Sequence, residues 1–100
     1  MKKEIFNRYV TKICERYSIK ERELYMKNKT SSLADARHML YFLCKETPIK
    51  IPYIKKYMMD NGYSIESSTI NHGHKKITEL IESDDYLKQV VEDIQQECMN

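Results

Sequence analysis

Apolar residues recur at intervals of three and four along most of this 100-residue chain. This spacing is typical of amphipathic helices that bury one face. It predicts six helices, over about residues 2–17, 20–26, 33–46, 52–59, 66–83 and from 84 onwards. The chain has only two glycines and two prolines, which favours long helices over β architectures with many turns. We therefore expect an all-α fold in a single domain spanning residues 1–100.

Proline, glycine and small polar residues mark the expected helix ends. Ser32 is the candidate N-cap of the third helix, and Thr47-Pro48 should end it, because the residue before a proline avoids helical angles. Pro52 fits the first turn of the fourth helix, where its missing N–H is no loss. Asp60-Asn61-Gly62 is a turn signal between the fourth and fifth helices. These two helices are therefore compatible with a helix-turn-helix in which residues 66–83 form the second helix.

Charge is distributed unevenly along the chain. Residues 1–77 carry 16 Lys and Arg against 8 Asp and Glu, whereas residues 78–100 carry one lysine and seven acids. Solvated helix faces explain part of this charge. A basic body with an acidic end is also suited to a partner that carries phosphate groups.

Several classes of protein are not favoured by the sequence. No apolar run approaches the ~20 residues needed to cross a membrane, and no apolar signal segment follows Met1. Three widely spaced cysteines do not form a disulfide framework, so we expect a reducing, cytoplasmic location. His72-x-His74 matches no zinc-site spacing, and no nucleophile–base pair is recognisable. We expect no cofactor, no metal and no enzymatic activity.

The helix over 66–83 is the strongest candidate for a functional surface. It begins with small hydroxyl residues, and a recognition helix presents such residues to base edges in the major groove. Asn71 is able to pair with adenine, and Lys75 is better suited to phosphate. The same pattern is also found on ordinary capped surface helices. The polar face of this helix consists of Ser67, Ser68, Asn71, His72 and Lys75.

Other basic residues lie outside this helix. Lys27 and Lys29 fall in the predicted loop 27–32, as an arm reaching a minor groove requires. Arg37 and His38 fall at the start of the third helix, where Arg37 is placed to hold a phosphate together with backbone amides. For each of these residues taken alone, an ordinary solvent-exposed charge is the favoured interpretation.

The order of these features resembles the C-terminal DNA-binding domain of the bacterial replication initiator DnaA, a helix-turn-helix domain of the Trp-repressor-like kind. The family's Asp-His-Thr-Thr-Val pattern is matched by Glu66-Ser67-Ser68-Thr69-Ile70, followed by His72 and by Lys75-Lys76-Ile77. Its Leu-Pro-x-Ile is matched by Ile51-Pro52-Tyr53-Ile54. The resemblance extends from about Val10 to Ile94.

This resemblance implies double-stranded DNA as the partner. It places Ser67 and Ser68 in the base-contacting positions of the family and Thr69 on a phosphate. It places Lys29, with Lys27 beside it, at the minor-groove contact of the family. It places Arg37, with His38 beside it, and the backbone at the start of Ile51-Pro52 on phosphates.

The chain also departs from the family pattern. Glu66-Ser67-Ser68 replaces Asp-His-Thr, and Lys29 replaces an arginine whose planar fork a lysine lacks, so we expect a target other than the standard DnaA box. No Gly-x-x-x-x-Gly-Lys-[Ser/Thr] is present, so the ATPase module of DnaA is missing. We therefore expect a stand-alone regulator of transcription or replication, of the kind expected in phages or mobile elements.

One alternative function remains open at this point. It is a protein-interaction module that keeps the fold and binds a host replication or transcription protein without contacting bases.

For the assembly, we expect a monomer or a weak homodimer. The candidate dimer interface is on the first helix, at Phe6, Tyr9 and Tyr17.

Overall fold

The computed structural model describes residues 1–27 and 30–99, which form six α-helices and no strand. In chain order these are α1 Lys2–Tyr17, α2 Glu21–Leu24, α3 Ser31–Glu46, α4 Ile51–Asp60, α5 Ser67–Ser83 and α6 Asp85–Met99. The all-α prediction and its six helices are confirmed. None of the described helices is both long and apolar enough to span a bilayer.

Helix α3 lies at the centre of the fold. Nine of its 16 residues are buried, on more than one face of the helix. It contacts α1, α2, α4 and α5, and its most extensive contact is with α5. Helix α6 packs across α1 and α5 instead. A helix that is apolar on several sides is typical of the interior of a bundle, and α3 supplies most of the common core.

The contact between α3 and α5 depends on Gly73. A Cβ atom at this position would lie 2.9 Å from Cδ2 of His38 and 2.9 Å from Cδ2 of Tyr41. It would also lie 3.2 Å from the Cα of His38. The absence of a side chain therefore allows the backbone of α5 to lie directly on α3.

The apolar residues of α1 pack inside the chain. Phe6 and Tyr9 are fully buried and Tyr17 is half-buried against the same core. The Phe6 ring lies 5.3 Å from that of Tyr57 in α4, and the Tyr9 hydroxyl forms a hydrogen bond with the hydroxyl of Thr47. The suggestion that Phe6 and Tyr9 form a homodimer interface is therefore wrong, because the other helices already cover them.

The boundaries of α3 correct one prediction and confirm another. Thr30, not Ser32, is the N-cap, and its hydroxyl accepts a hydrogen bond from the Leu33 amide at 3.4 Å. Ser31 and Ser32 lie within the first turn instead. At the other end, Thr47 follows the last helical residue, as the proline after it predicts, and its amide donates to the Leu43 carbonyl at 3.0 Å.

Gly73→Ala should destabilise the fold. Alanine normally favours a helix over glycine, but here the added methyl group would overpack the α3–α5 contact, and we expect a net loss of about 1–2 kcal/mol in the free energy of unfolding. Urea denaturation followed by circular dichroism measures this change. Ser68→Ala, on the exposed side of the same helix, is the matched control and should leave stability nearly unchanged. Unchanged or increased stability of Gly73→Ala would contradict the close packing.

Candidate nucleic-acid interface

The exposed side of α5 carries a continuous polar row. Ser68, His72, Lys75 and Glu79 are spaced by three or four residues and are all exposed, so they lie along one line of the helix. Asn71 lies beside this row and is also exposed. The row faces away from the buried stripe of Ile70, Gly73 and Ile77. The predicted polar face of this helix is therefore accessible to a partner.

The first turn of α5 presents hydroxyl groups at the positive end of the helix dipole. The Glu66 carbonyl accepts hydrogen bonds from the amides of Thr69 at 3.1 Å and Ile70 at 3.4 Å, which starts the helix. Ser68 and Thr69 are exposed, and Ser67 is half-buried. Hydroxyls and amides at a helix N-terminus bind anionic groups, so this turn is chemically suited to phosphate or base contacts.

Lys45 also lies on this surface, although no sequence pattern pointed to it. It lies in the last turn of α3, and its Nζ donates to Oδ1 of Asn71 at 2.7 Å. It also lines a shallow surface depression at the start of α4, together with Pro48, Ile49, Lys50 and Ile51. One lysine at a helix end is a weak signal in a sequence. Its only clue was its position just upstream of the predicted helix-turn-helix.

The first turn of α4 lies beside Lys45. The Lys50 carbonyl accepts from the amides of Tyr53 at 3.0 Å and Ile54 at 3.2 Å. Ile51 is half-buried and Pro52 is exposed. Because proline has no N–H, the Ile51 amide is the donor that this end of the helix offers to an anion.

The three histidines all lie where α3 meets α5. The ring of His38 lies edge-on to that of His72, with centroids 5.6 Å apart. His74 stacks on Phe42 at 5.2 Å, and its Nε2 lies 2.9 Å from Oε2 of Glu46. His72 and His74 thus contact different side chains. Within residues 1–27 and 30–99, no group of three or more His, Cys, Asp or Glu side chains could hold a metal ion.

His38 occupies an environment that disfavours its charged form. Its Nδ1 is buried and has no hydrogen-bond partner among the described residues. Burial lowers the pKa of His38 below the ordinary 6.5, and the nearby charges of Lys76, His72 and Arg37 lower it further, against the opposing effect of Asp35. The imidazole of His38 beside α5 is therefore neutral at neutral pH.

Arg37 lies inside the fold and not on the surface where a phosphate contact requires it. Its side chain is only 5% exposed. Its Nε donates to the Leu24 carbonyl at 2.8 Å, and its Nη2 donates to the carbonyls of Glu23 at 3.2 Å and of Met26. The guanidinium carbon also lies 4.7 Å from the centre of the Tyr63 ring. The role of Arg37 in this structure is to hold the connection between α2 and α3.

The basic loop is only partly within the described residues. Lys27 is exposed and directly follows Met26, whose carbonyl Arg37 holds. Arg37 therefore holds the backbone immediately before Lys27. Lys29 lies outside the described residues.

The charge changes sign along the exposed side of α5. His72, Lys75, Lys76 and Glu79 line a shallow depression on this side. Beyond it lie the exposed acids of the last turns and of the α5–α6 junction, Glu82, Asp84 and Asp85. A polyanion would therefore be attracted to the first half of α5 and repelled by the second half.

Comparison with known proteins shows a similarity to bacterial replication initiators. The chain is 27% identical over 88 residues to the chromosomal replication initiator protein DnaA of Campylobacter jejuni (strain RM1221), covering 87% of this chain and 19% of that protein. It is 29% identical over 89 residues to the DnaA of Aliarcobacter butzleri (strain RM4018), covering 88% of this chain and 19% of that protein. The chain thus spans about a fifth of the length of these curated relatives. No family model and no solved structure matches it.

Arg37→Met should destabilise the protein through its effect on the α2–α3 connection. It removes the donors to three backbone carbonyls, and we expect a loss of about 3 kcal/mol in the free energy of unfolding. Denaturation in urea tests this value. Lys75→Met, which replaces an exposed cation, should leave stability unchanged. Normal stability combined with weaker duplex binding would instead identify Arg37 as a phosphate contact.

Acidification should destabilise the fold through His38. In the unfolded chain this imidazole takes up a proton near pH 6.5, and in the folded chain only at lower pH. Its contribution to stability is therefore present above pH 6.5 and is lost as the pH falls through the folded pKa. Urea denaturation between about pH 7.5 and 5.5 should show a weaker pH dependence for His38→Gln than for the unmodified protein. An NMR titration that places the His38 pKa at or above 6.5 would contradict this assignment.

Proposed function

We propose that this chain is a duplex-DNA-binding regulator of transcription or replication. Helix α5 lies in the major groove, and the basic segment 27–32 lies near the minor groove. One observation carries the proposal: the exposed row of α5, the Lys45 ammonium and the first turn of α4 meet on the same surface. The similarity to DnaA over most of the chain supports a role in replication or its control.

Each part of the surface has a distinct role in this proposal. Base edges are contacted by residues of the first turns of α5, namely Ser67, Ser68 and Asn71. Phosphates are contacted by a second set on either side of them, namely Lys27, Lys29, Thr69, His72, Lys75 and the backbone amide of Ile51, which Pro52 follows in the first turn of α4. His38 supports His72 from α3. Arg37 acts indirectly, because it holds the end of the segment that carries Lys27.

The charge pattern of α5 sets the position of the duplex in this proposal. Lys75 and Lys76 attract phosphates, whereas Glu79, one turn further on, repels them. The duplex therefore contacts the first half of the helix, where the hydroxyl and amide side chains lie. The acidic α6 does not contact the duplex in this proposal.

A protein-interaction module is the second candidate, and one observation favours it. Tyr86 is 73% exposed and Leu80 is 43% exposed at the α5–α6 junction, among acidic residues. Exposed aromatic and aliphatic side chains ringed by charge are typical of protein contacts. A host replication or transcription protein with a basic surface would be a suitable partner.

Salt dependence tests the leading proposal. Fluorescence anisotropy with random-sequence duplex at 50–200 mM salt should give tight binding at low salt and a linear loss on logarithmic axes, because phosphate contacts release counterions. Lys75→Ala should reduce the magnitude of that slope by about 1, as expected for one lost phosphate contact. Glu79→Gln should strengthen binding, because it removes a repelling charge beside the depression.

Two controls make the result specific to this surface. Lys88→Ala removes an exposed lysine from α6 and should leave the slope unchanged. Glu92→Gln removes an exposed acid from the same helix and should not strengthen binding. If no duplex binds at low salt, the DNA proposal is refuted and the protein-interaction module takes its place.

A further inference from the structure

The contact between Lys45 and Asn71 determines which atoms Asn71 presents to a partner. The Lys45 ammonium lies 2.7 Å from Oδ1 of Asn71. An ammonium group has three donors and no acceptor, so chemistry requires the asparagine carbonyl oxygen, and not its NH₂, on this side. The amide NH₂ of Asn71 therefore points away from Lys45.

Helix packing holds these two side chains next to each other. Gly73 fixes the distance between α5 and α3, because His38 and Tyr41 would contact any side chain there. Phe42 and Glu46 lie on either side of Lys45 in the chain. Phe42 stacks on His74, and Glu46 is hydrogen-bonded to the same His74. These contacts set the position of the last turns of α3 over the first turns of α5. Lys45 and Asn71 are thus brought together by the packing of α3 on α5, and not only by the hydrogen bond between them.

This arrangement changes the hydrogen-bonding character of Asn71. A free asparagine pairs with adenine through one donor and one acceptor, because adenine presents the N7 acceptor and the N6 amine in the major groove. Here the Oδ1 acceptor of Asn71 already accepts a hydrogen bond from the Lys45 ammonium. An adenine N6 amine approaching the same oxygen would place its positive hydrogens next to an ammonium charge, which is unfavourable. The Asn71 NH₂ and the remaining N–H groups of Lys45 are left as a set of donors.

We propose that Lys45 and Asn71 together present only hydrogen-bond donors to the major groove and thereby select guanine over adenine at one base pair. Guanine presents two neighbouring acceptors, O6 and N7, on its major-groove edge and matches such a set. This inference rests on the proposed DNA-binding function and specifies one base preference within it. Lys45 is thereby a specificity-determining residue and Asn71 the residue it orients.

Selection from random duplex followed by affinity measurements tests this base preference. The contacted position is the one whose preference Asn71→Ala abolishes. At that position the unmodified protein should bind guanine about tenfold more tightly than adenine, the usual scale for one good bidentate contact. Replacing that guanine with 7-deazaguanine, which lacks the N7 acceptor, should remove most of the preference.

Lys45→Met is the decisive variant. It keeps an unbranched side chain but removes the ammonium, which frees Oδ1 of Asn71 to accept from adenine N6. The preference at that position should therefore shift from guanine towards adenine. Lys75→Met is the matched control and should weaken binding to both duplexes equally. Thermal unfolding by circular dichroism checks that both variants remain folded.

The outcomes separate this inference from the function on which it rests. Three results overturn this base preference and leave DNA binding intact. The first is duplex binding in which Asn71→Ala abolishes the preference at no position. The others are an adenine preference at the contacted position and a guanine preference that survives in Lys45→Met. An absence of binding to every duplex at low salt overturns both.

Discussion

The close packing of α5 on α3 at Gly73 is the constraint on which the rest of the structure depends. It allows the backbones of the two helices to approach closely and fixes the distance between α5 and α3. His38 and His72 then meet edge-on at one side of the contact, and Phe42 and His74 stack at the other. Because one face of α5 is anchored this firmly, its opposite face is presented at a defined angle.

Long-range polar contacts organise the surface around this core. Arg37 reaches back to carbonyl groups of the α2–α3 connection, and Lys45 reaches across to Asn71. The first contact is buried and orders the chain next to the basic loop. The second is near the surface and couples the end of α3 to the candidate recognition helix. The two cations thus have different roles, although both are carried by the same helix.

Sequence patterns predicted the helices well because helix formation depends on near neighbours. Spacings of three and four residues located α1 with its ends at Lys2 and Tyr17, and the proline after Thr47 marked the end of α3. The N-cap of α3 was predicted wrongly as Ser32 and is Thr30, since either residue type is able to cap a helix and local spacing does not choose between them. The exposed face of α5 followed from the same periodicity, with Ser68, Asn71, His72 and Lys75 on it.

The sequence by itself determined the all-α class, the helix positions and the polar face of α5, since each depends on local spacing. Only the tertiary structure decided which charged residues reach that surface. It placed Arg37 inside and Lys45 beside Asn71, and it buried Phe6 and Tyr9 within the chain. The physical reason is that these outcomes depend on several helices packing together. Lys45 and Asn71 are 26 residues apart, a separation over which local periodicity carries no information.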